Sequence, residues 1–173
     1  MADLRFDERV VVVTGAGRGL GRSYALLLAS RGARIVVNDT GVSMAGDASN
    51  DRPAAVVVDE IRALGGEAFA CTESVASPAG GAAIISAAME HFGRIDALIH
   101  NAGIVRRGTL DELSYEDFEA VLDVHLRGGF HVLRPALRHM KKAGYGRIVM
   151  TGSISGLYGN TGVGNYSVAK NGC

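Results

Sequence analysis

The sequence has no tryptophan, two cysteines (Cys71 and Cys173), three prolines and 6% aromatic residues in 173 positions. Two cysteines are too few for a disulfide scaffold or a four-ligand zinc site. With 18 Lys+Arg against 18 Asp+Glu there is no excess of positive charge. The electrostatic footprint of a nucleic-acid binder is therefore missing, and no Lys/Arg block reads as a polybasic membrane patch. No apolar run approaches the ~18 residues of a bilayer-spanning helix, and the charged stretch Met1 to Arg9 does not read as a secretory signal. The expectation is one domain in a reducing cytoplasm, with neither a membrane nor a nucleic acid as partner. Glycine, by contrast, is abundant: its 24 copies are about twice the average usage of ~7%. A hydrophobic content of 47% is too high for a disordered or collagen-like chain, so the glycines should serve local backbone conformations.

Short β-branched apolar runs recur at Val10–Val13, Ile35–Val37, Ala68–Cys71, Ala97–Ile99 and Ile148–Met150, as expected of strands covered on both faces. Between them the period becomes helical. Leu20, Tyr24, Leu27 and Leu28 share one predicted face, Val57, Ile61 and Leu64 a second, and Ile84, Ile85, Ala88, Met89 and Phe92 a third. The longest helical pattern starts at Ser114, an N-cap followed by acidic residues, runs through Leu137 with Pro135 bending but not ending it, and stops before Gly144. Five strands with four helical connections predict an α/β fold with a parallel sheet. One connection, Thr40 to Asp51, is longer than the usual two to six residues and leaves the carboxyl end of the second strand, where ligands sit in such sheets.

The first strand-to-helix turn reads Thr14-Gly-Ala-Gly-Arg-Gly-Leu-Gly21. Gly15, Gly17, Gly19 and Gly21 permit a tight turn and let the backbone, with Arg18 and Leu20, approach a pyrophosphate at a helix N-terminus. The alternative is a turn that only lets helix and strand pack closely. Asp39, ending the second strand, is placed to accept both ribose hydroxyls of an adenosine and to repel a 2′-phosphate, which favours NAD. Arg18 pulls the other way, since a guanidinium pairs with such a phosphate, leaving NADP possible. Near the end stand Ser153, Tyr166 and Lys170. Tyr166 and Lys170, four apart, share a helix face, so a cation can favour the phenolate of a general acid–base. Ser153, on the loop after the fifth strand, is placed to hydrogen-bond a substrate oxygen. The alternative is an exposed, solvated helix pair.

Together these stretches resemble the short-chain dehydrogenase/reductase family: Thr14-Gly-x3-Gly19-x-Gly21, Asn101-Ala-Gly103 after the fourth strand, and Ser153-x12-Tyr166-x3-Lys170 follow one another in the family's order. The resemblance implies a Rossmann-type, doubly wound, three-layer α/β/α sheet and a nicotinamide cofactor. It implies Tyr166 as acid–base, Ser153 as carbonyl positioner, and Lys170 as the residue that tunes Tyr166 and binds the nicotinamide ribose. Asn101, Ala102 and Gly103 would line the ribose and adenine side, and Glu73, in Thr72-Glu-Ser74-Val75, would stand where an Asp usually meets the adenine amino group. Within the family, Val36-Val-Asn-Asp39, Asp123-Val-His-Leu-Arg-Gly128, Tyr145-Gly-Arg-Ile148 and Gly156-Leu-Tyr-Gly-Asn160 resemble the branch of (3R)-hydroxyacyl-CoA dehydrogenases. His125 stands where most members have an Asn that holds a proton-relay water, and is either a replacement for it or a packed helix residue. His100 reads as structural.

The resemblance further implies a small alcohol or ketone substrate, a homodimer or homotetramer, and no metal. Members are usually longer, so the sixth and seventh strands are expected to be missing and the fifth strand to form an open edge. Two other readings stay open: an NADP-dependent 3-oxoacyl reductase, and a non-catalytic fragment that binds a nucleotide without turnover.

Overall fold

A computed structural model of the chain describes residues 4–46 and 52–173. Five strands, β1 (Val10–Thr14), β2 (Arg34–Asn38), β3 (Ala68–Cys71), β4 (Ala97–His100) and β5 (Arg147–Met150), form one sheet in the order β3-β2-β1-β4-β5. All four pairings are parallel. The alternation of side chains explains the unbroken valine run of β1. Val10 and Val12 enter one core with Ile84, Ile85, Ala88, Val132 and Ala136, while Val11 and Val13 enter the other with Ala25, Val57 and Ile61. Each buried valine contributes about 1.5–3 kcal/mol relative to exposure, so a charge at Val12 would break the sheet at its centre. Among the described residues β5 pairs with β4 alone, and its Ile148 and Val149, on opposite faces of this edge strand, remain exposed.

The helices are α1 (Gly19–Ser30), α2 (Pro53–Ala63), α3 (Pro78–Phe92), α4 (Tyr115–Leu122), α5 (Gly128–Ala143), α6 (Ile154–Tyr158) and α7 (Gly164–Asn171). Two expected faces differ. On α1 the buried residues are Gly21, Ala25 and Ala29, whereas Leu20 and Leu27 are exposed. The inward face of α1 is this small-residue row, with Tyr24 and Leu28 partly buried beside it. Leu64 caps α2 and is exposed, leaving Val57 and Ile61 as its inward pair. The long predicted helix is present from the Ser114 cap, whose hydroxyl accepts from Asp117 N–H at 3.0 Å, to the left-handed Gly144, and it passes through Pro135. It is interrupted by one π turn, Asp123–Arg127, that periodicity did not reveal. The amino-terminal part packs on α7 and the carboxyl-terminal part on α3. Among the described residues, no helix is long and apolar enough to cross a membrane. Part of the long connection after β2, residues 47–51, lies outside the described residues.

Candidate active site

The carboxyl ends of the strands meet in one cleft of about 750 Å³, within the range of small-molecule sites. Its floor is the turn after β1. Gly15 has φ 63°, and a Cβ there would lie 2.7 Å from the Cα of Ala102, so no side chain fits. At Gly21 a Cβ would collide with the Gly15 carbonyl, which explains the spacing of the motif. Helix α1 starts at Gly19 with no side-chain cap. Its first free N–H groups therefore need an acceptor at the end of the cleft lined by Gly15, Gly19 and Leu20.

At the end of β2, the Asp39 carboxylate is fixed by two backbone donors: Gly17 N–H to Oδ2 and Gly41 N–H to Oδ1, both 2.8 Å. Four lone-pair sites on a carboxylate leave capacity for two hydroxyl donors. A phosphate in the same place would face the carboxylate charge. Beside it, the buried Asn38 amide donates to the carbonyls of Cys71 (3.1 Å) and Glu73 (2.8 Å), holding the segment after β3 against the cleft. The Glu73 side chain is exposed.

The end of β4 is ordered by a buried network. The Thr14 hydroxyl accepts from Asn101 N–H (3.0 Å) and Ala102 N–H (3.1 Å), so its own proton goes to His100 Nδ1 at 3.2 Å. Nδ1 is thus the acceptor, and His100 Nε2–H donates to the carbonyl of His125 at 3.1 Å. Burial pushes the pKa of His100 down to about 4, so the neutral ring this network requires is the form present at neutral pH. His100 is structural, as expected. The Asn101 amide donates to the carbonyls of Thr14 (3.2 Å) and Gly15 (3.0 Å), tying the two turns together.

His125 lies in the π turn, 2% exposed, with burial lowering its pKa to about 4. Its Nε2 sits 2.8 Å from the Ile104 carbonyl and 3.1 Å from the Ile104 N–H, and a Cβ on Gly103 would collide with its ring. It meets the Tyr166 ring edge-on, centroids 5.1 Å apart, and among the described groups its buried Nδ1 has no partner.

Helix α7 brings Tyr166 and Lys170 into the same cleft. The fully buried Asn165 sets its position: its amide donates to the carbonyls of Arg106 (3.1 Å) and Asp117 (3.3 Å), and its Oδ1 accepts from Tyr166 N–H at 2.8 Å. Lys170 Nζ donates to the carbonyl of Thr151 at 2.5 Å and lies 5.8 Å from the Tyr166 ring centroid. Burial lowers the Lys170 pKa from its ordinary value. Ser153 caps α6, its hydroxyl oxygen accepting from Ser155 N–H at 3.2 Å.

Of the residues expected from sequence, Gly15, Arg18, Gly19, Leu20, Asp39, Glu73, Ser74, Val75, Asn101, Ala102, Gly103, His125, Tyr166 and Lys170 line the cleft. Gly17 and Gly21 support its floor from behind, and Ser153 stands outside the lining. The roles of Thr14, Asn165 and Thr151 were not anticipated, and the segment after Asp39 was marked by its length and its place at the end of β2 alone. Thr14 and Thr151 stand at strand ends, where an end-of-strand signal was available; Asn165 carries no recognisable motif. A dinucleotide fits the site: uncapped helix N–H groups for phosphate, a fixed carboxylate for ribose, and a buried ammonium at the far end.

The chain matches the short chain dehydrogenase family over residues 9–173. It is 54% identical over 169 residues to the peroxisomal multifunctional enzyme type 2 of Drosophila melanogaster, covering 98% of this chain but 28% of that protein. The crystal structure of a short chain dehydrogenase from Mycobacterium avium superposes with a TM-score of 0.88 at 50% identity, covering 96% of this chain and 59% of that one. An NAD+-bound xylitol dehydrogenase superposes with a TM-score of 0.88 at 30% identity, covering 98% and 62%.

Proposed function

The chain belongs to the short-chain dehydrogenase/reductase family, and from that premise we propose that it is an NAD-dependent oxidoreductase interconverting a secondary alcohol and a ketone. The observation that carries this reading is that the phenol of Tyr166 and the buried ammonium of Lys170 share one cleft with the uncapped glycine turn and Asp39. The NAD+-bound neighbour supports the cofactor class, and the fixed Asp39 carboxylate favours the form without a 2′-phosphate. The turn Gly15 to Gly21 would face the pyrophosphate, Asp39 the adenosine ribose, Glu73 to Val75 the adenine, and Asn101 to Gly103 the ribose and adenine side.

The chemistry supplied by the dinucleotide when bound is hydride exchange at its nicotinamide ring. The rest falls to the chain. The Tyr166 oxygen, as phenolate, takes the hydroxyl proton of the alcohol and returns it in the reverse direction. The Lys170 charge favours that phenolate, and with one N–H on Thr151 its remaining donors are available to ribose hydroxyls. The Ser153 oxygen accepts from Ser155 N–H, leaving its own proton to donate to the substrate oxygen. His125 is a positioning residue: its neutral ring backs Tyr166, and its Nδ1 is available to a water on the proton's way out.

The substrate class is a 3-hydroxyacyl or 3-oxoacyl thioester, on the resemblance carried by Asp123–Gly128 and Gly156–Asn160. A homo-oligomer is the proposed assembly, and the reducing cytoplasm the proposed compartment, in keeping with two free cysteines. The test has two arms. NAD+ should raise the thermal unfolding midpoint, and more than NADP+, because a ligand that binds only the folded state stabilises it by mass action. Tyr166→Phe should lower turnover of a 3-hydroxyacyl thioester by about 10²–10⁴-fold while keeping the NAD+ shift. An unchanged midpoint, or full turnover by the Phe variant, overturns the reading.

A further inference from the structure

The segment after β2 does more than lead to α2. It leaves Asp39 with Gly41 N–H donating to that carboxylate at 2.8 Å. It then folds into a small turn of its own, Gly46 N–H to the Ser43 carbonyl at 2.8 Å and Ala45 N–H to the Ser43 hydroxyl at 3.2 Å. At its tip the Met44 side chain is exposed, while its carbonyl accepts from Val105 N–H at 3.0 Å. Val105 follows β4, and the sheet order is β2-β1-β4. A bridge from β2 to the segment after β4 therefore passes over the end of β1, where the glycine turn lies. A third tie is the hydrogen bond from Arg18 Nη1 to the Val42 carbonyl at 3.3 Å. Gly46 seats the far end: at φ 87°, a Cβ there would lie 3.2 Å from Arg106 Nη2 and 3.3 Å from Ile104 Cδ1. Val42, Ser43, Met44 and Gly46 line the same cleft as Gly15 and Ala102.

We infer that Gly41–Gly46 is a strap forming the outer wall of the dinucleotide site, and that the Met44–Val105 backbone hydrogen bond holds it over the bound dinucleotide and slows its release. This rests on the nucleotide-binding reading above. In α/β sheets the ligand lies across the carboxyl ends of the strands, so a ligand on the glycine turn lies beneath the strap. Because the ties run largely through backbone atoms, the strap needs a defined length and a glycine at position 46 more than particular side chains.

Gly46→Val tests this, since a β-branched residue is strained at positive φ and crowds Arg106 and Ile104, lifting the strap from the Val105 rim. Gly65→Val is the matched control: Gly65 has φ 82° but open space around it, outside the cleft. NADH release is followed by stopped-flow fluorescence after each folded variant has been checked by its unfolding midpoint. Gly46→Val should release NADH about fivefold faster, the worth of roughly one hydrogen bond, with Kd rising in step, and Gly65→Val should match the parent chain. Independently of any variant, amide exchange at Val105 in the parent chain should slow when NADH is added. Release from Gly46→Val at the parent rate, or a Val105 amide indifferent to NADH, overturns the strap while leaving the nucleotide site standing. A parent chain that binds no NADH overturns the nucleotide reading, and the strap's role with it.

Discussion

The two buried histidines make acid stability the sharpest physical test of the network behind the site. Burial holds His100 and His125 at about 4 in the folded chain, against about 6.5 when unfolded. A depressed histidine pKa means that the unfolded state binds the extra proton first. Stability is therefore complete above about pH 6.5 and is lost progressively as pH falls through the window down to about 4. At pH 5.5 an unfolded histidine is about ten-elevenths protonated while the folded one is almost neutral, a loss of about 1.4 kcal/mol each and about 3 kcal/mol for the pair. Against a total of about 5–15 kcal/mol for a domain, that is readily measured. Urea unfolding followed by far-UV circular dichroism at pH 7.5 and 5.5, at fixed ionic strength, reads it directly. His100→Asn keeps an N–H donor for the His125 carbonyl while removing one titrating group, so it should halve the pH dependence even if it lowers the stability at pH 7.5. Equal stability at the two pH values, or an undiminished dependence in His100→Asn, would refute the buried neutral pair.

Thr14→Val removes the hydroxyl that serves two amide N–H groups and His100 Nδ1; the expected loss is about 2–4 kcal/mol in urea unfolding, with a retained midpoint counting against the network. Gly15→Ala puts a Cβ against the Ala102 backbone at positive φ, and should cost about 1–3 kcal/mol and abolish the thermal shift given by NAD+. Asp39→Ala should narrow the preference for NAD+ over NADP+ by about tenfold, as expected from losing one charge-assisted hydrogen bond, read as the ratio of the two dissociation constants. An unchanged ratio would remove Asp39 from cofactor choice.

The sheet was legible because its strands are short apolar runs set between helical periods, with the β-branched runs of β1 and β2 buried on both faces, and the glycine turn because its spacing is imposed by contacts between backbones at Gly15 and Gly21. The Ser114 and Gly144 caps were legible for the same local reason. What stayed hidden depends on distance through space. That α1 turns Gly21, Ala25 and Ala29 inward and Leu20 and Leu27 outward is set by its packing on the sheet, which the apolar period alone does not encode. Asn165 is an ordinary polar residue until its amide is seen joining Arg106 to Asp117. The sequence left His125 open between two roles; its burial and its hold on Ile104 show it packed, with one nitrogen to spare. The long connection after β2 was marked by length alone, and only the Val105 tie shows that it crosses the cleft.

The π turn at Asp123–Arg127 sets a phase relation within the long helix. An α-helix advances about 100° per residue, so one residue more or fewer in that turn would rotate everything after it by roughly a quarter of a circle relative to everything before. Val121 and Leu122 face the small core with Ala169 of α7, while Val132, Ala136 and Met140 face the large core with Ile84 and Ile85 of α3. A straight helix through the same sequence would satisfy one of these cores and swing the other's residues into solvent. A single-residue deletion between Asp123 and Arg127 should thus act unlike any substitution there: it would uncouple the helix carrying Tyr166 and Lys170 from the sheet carrying the glycine turn, although every side chain of the site would still be present.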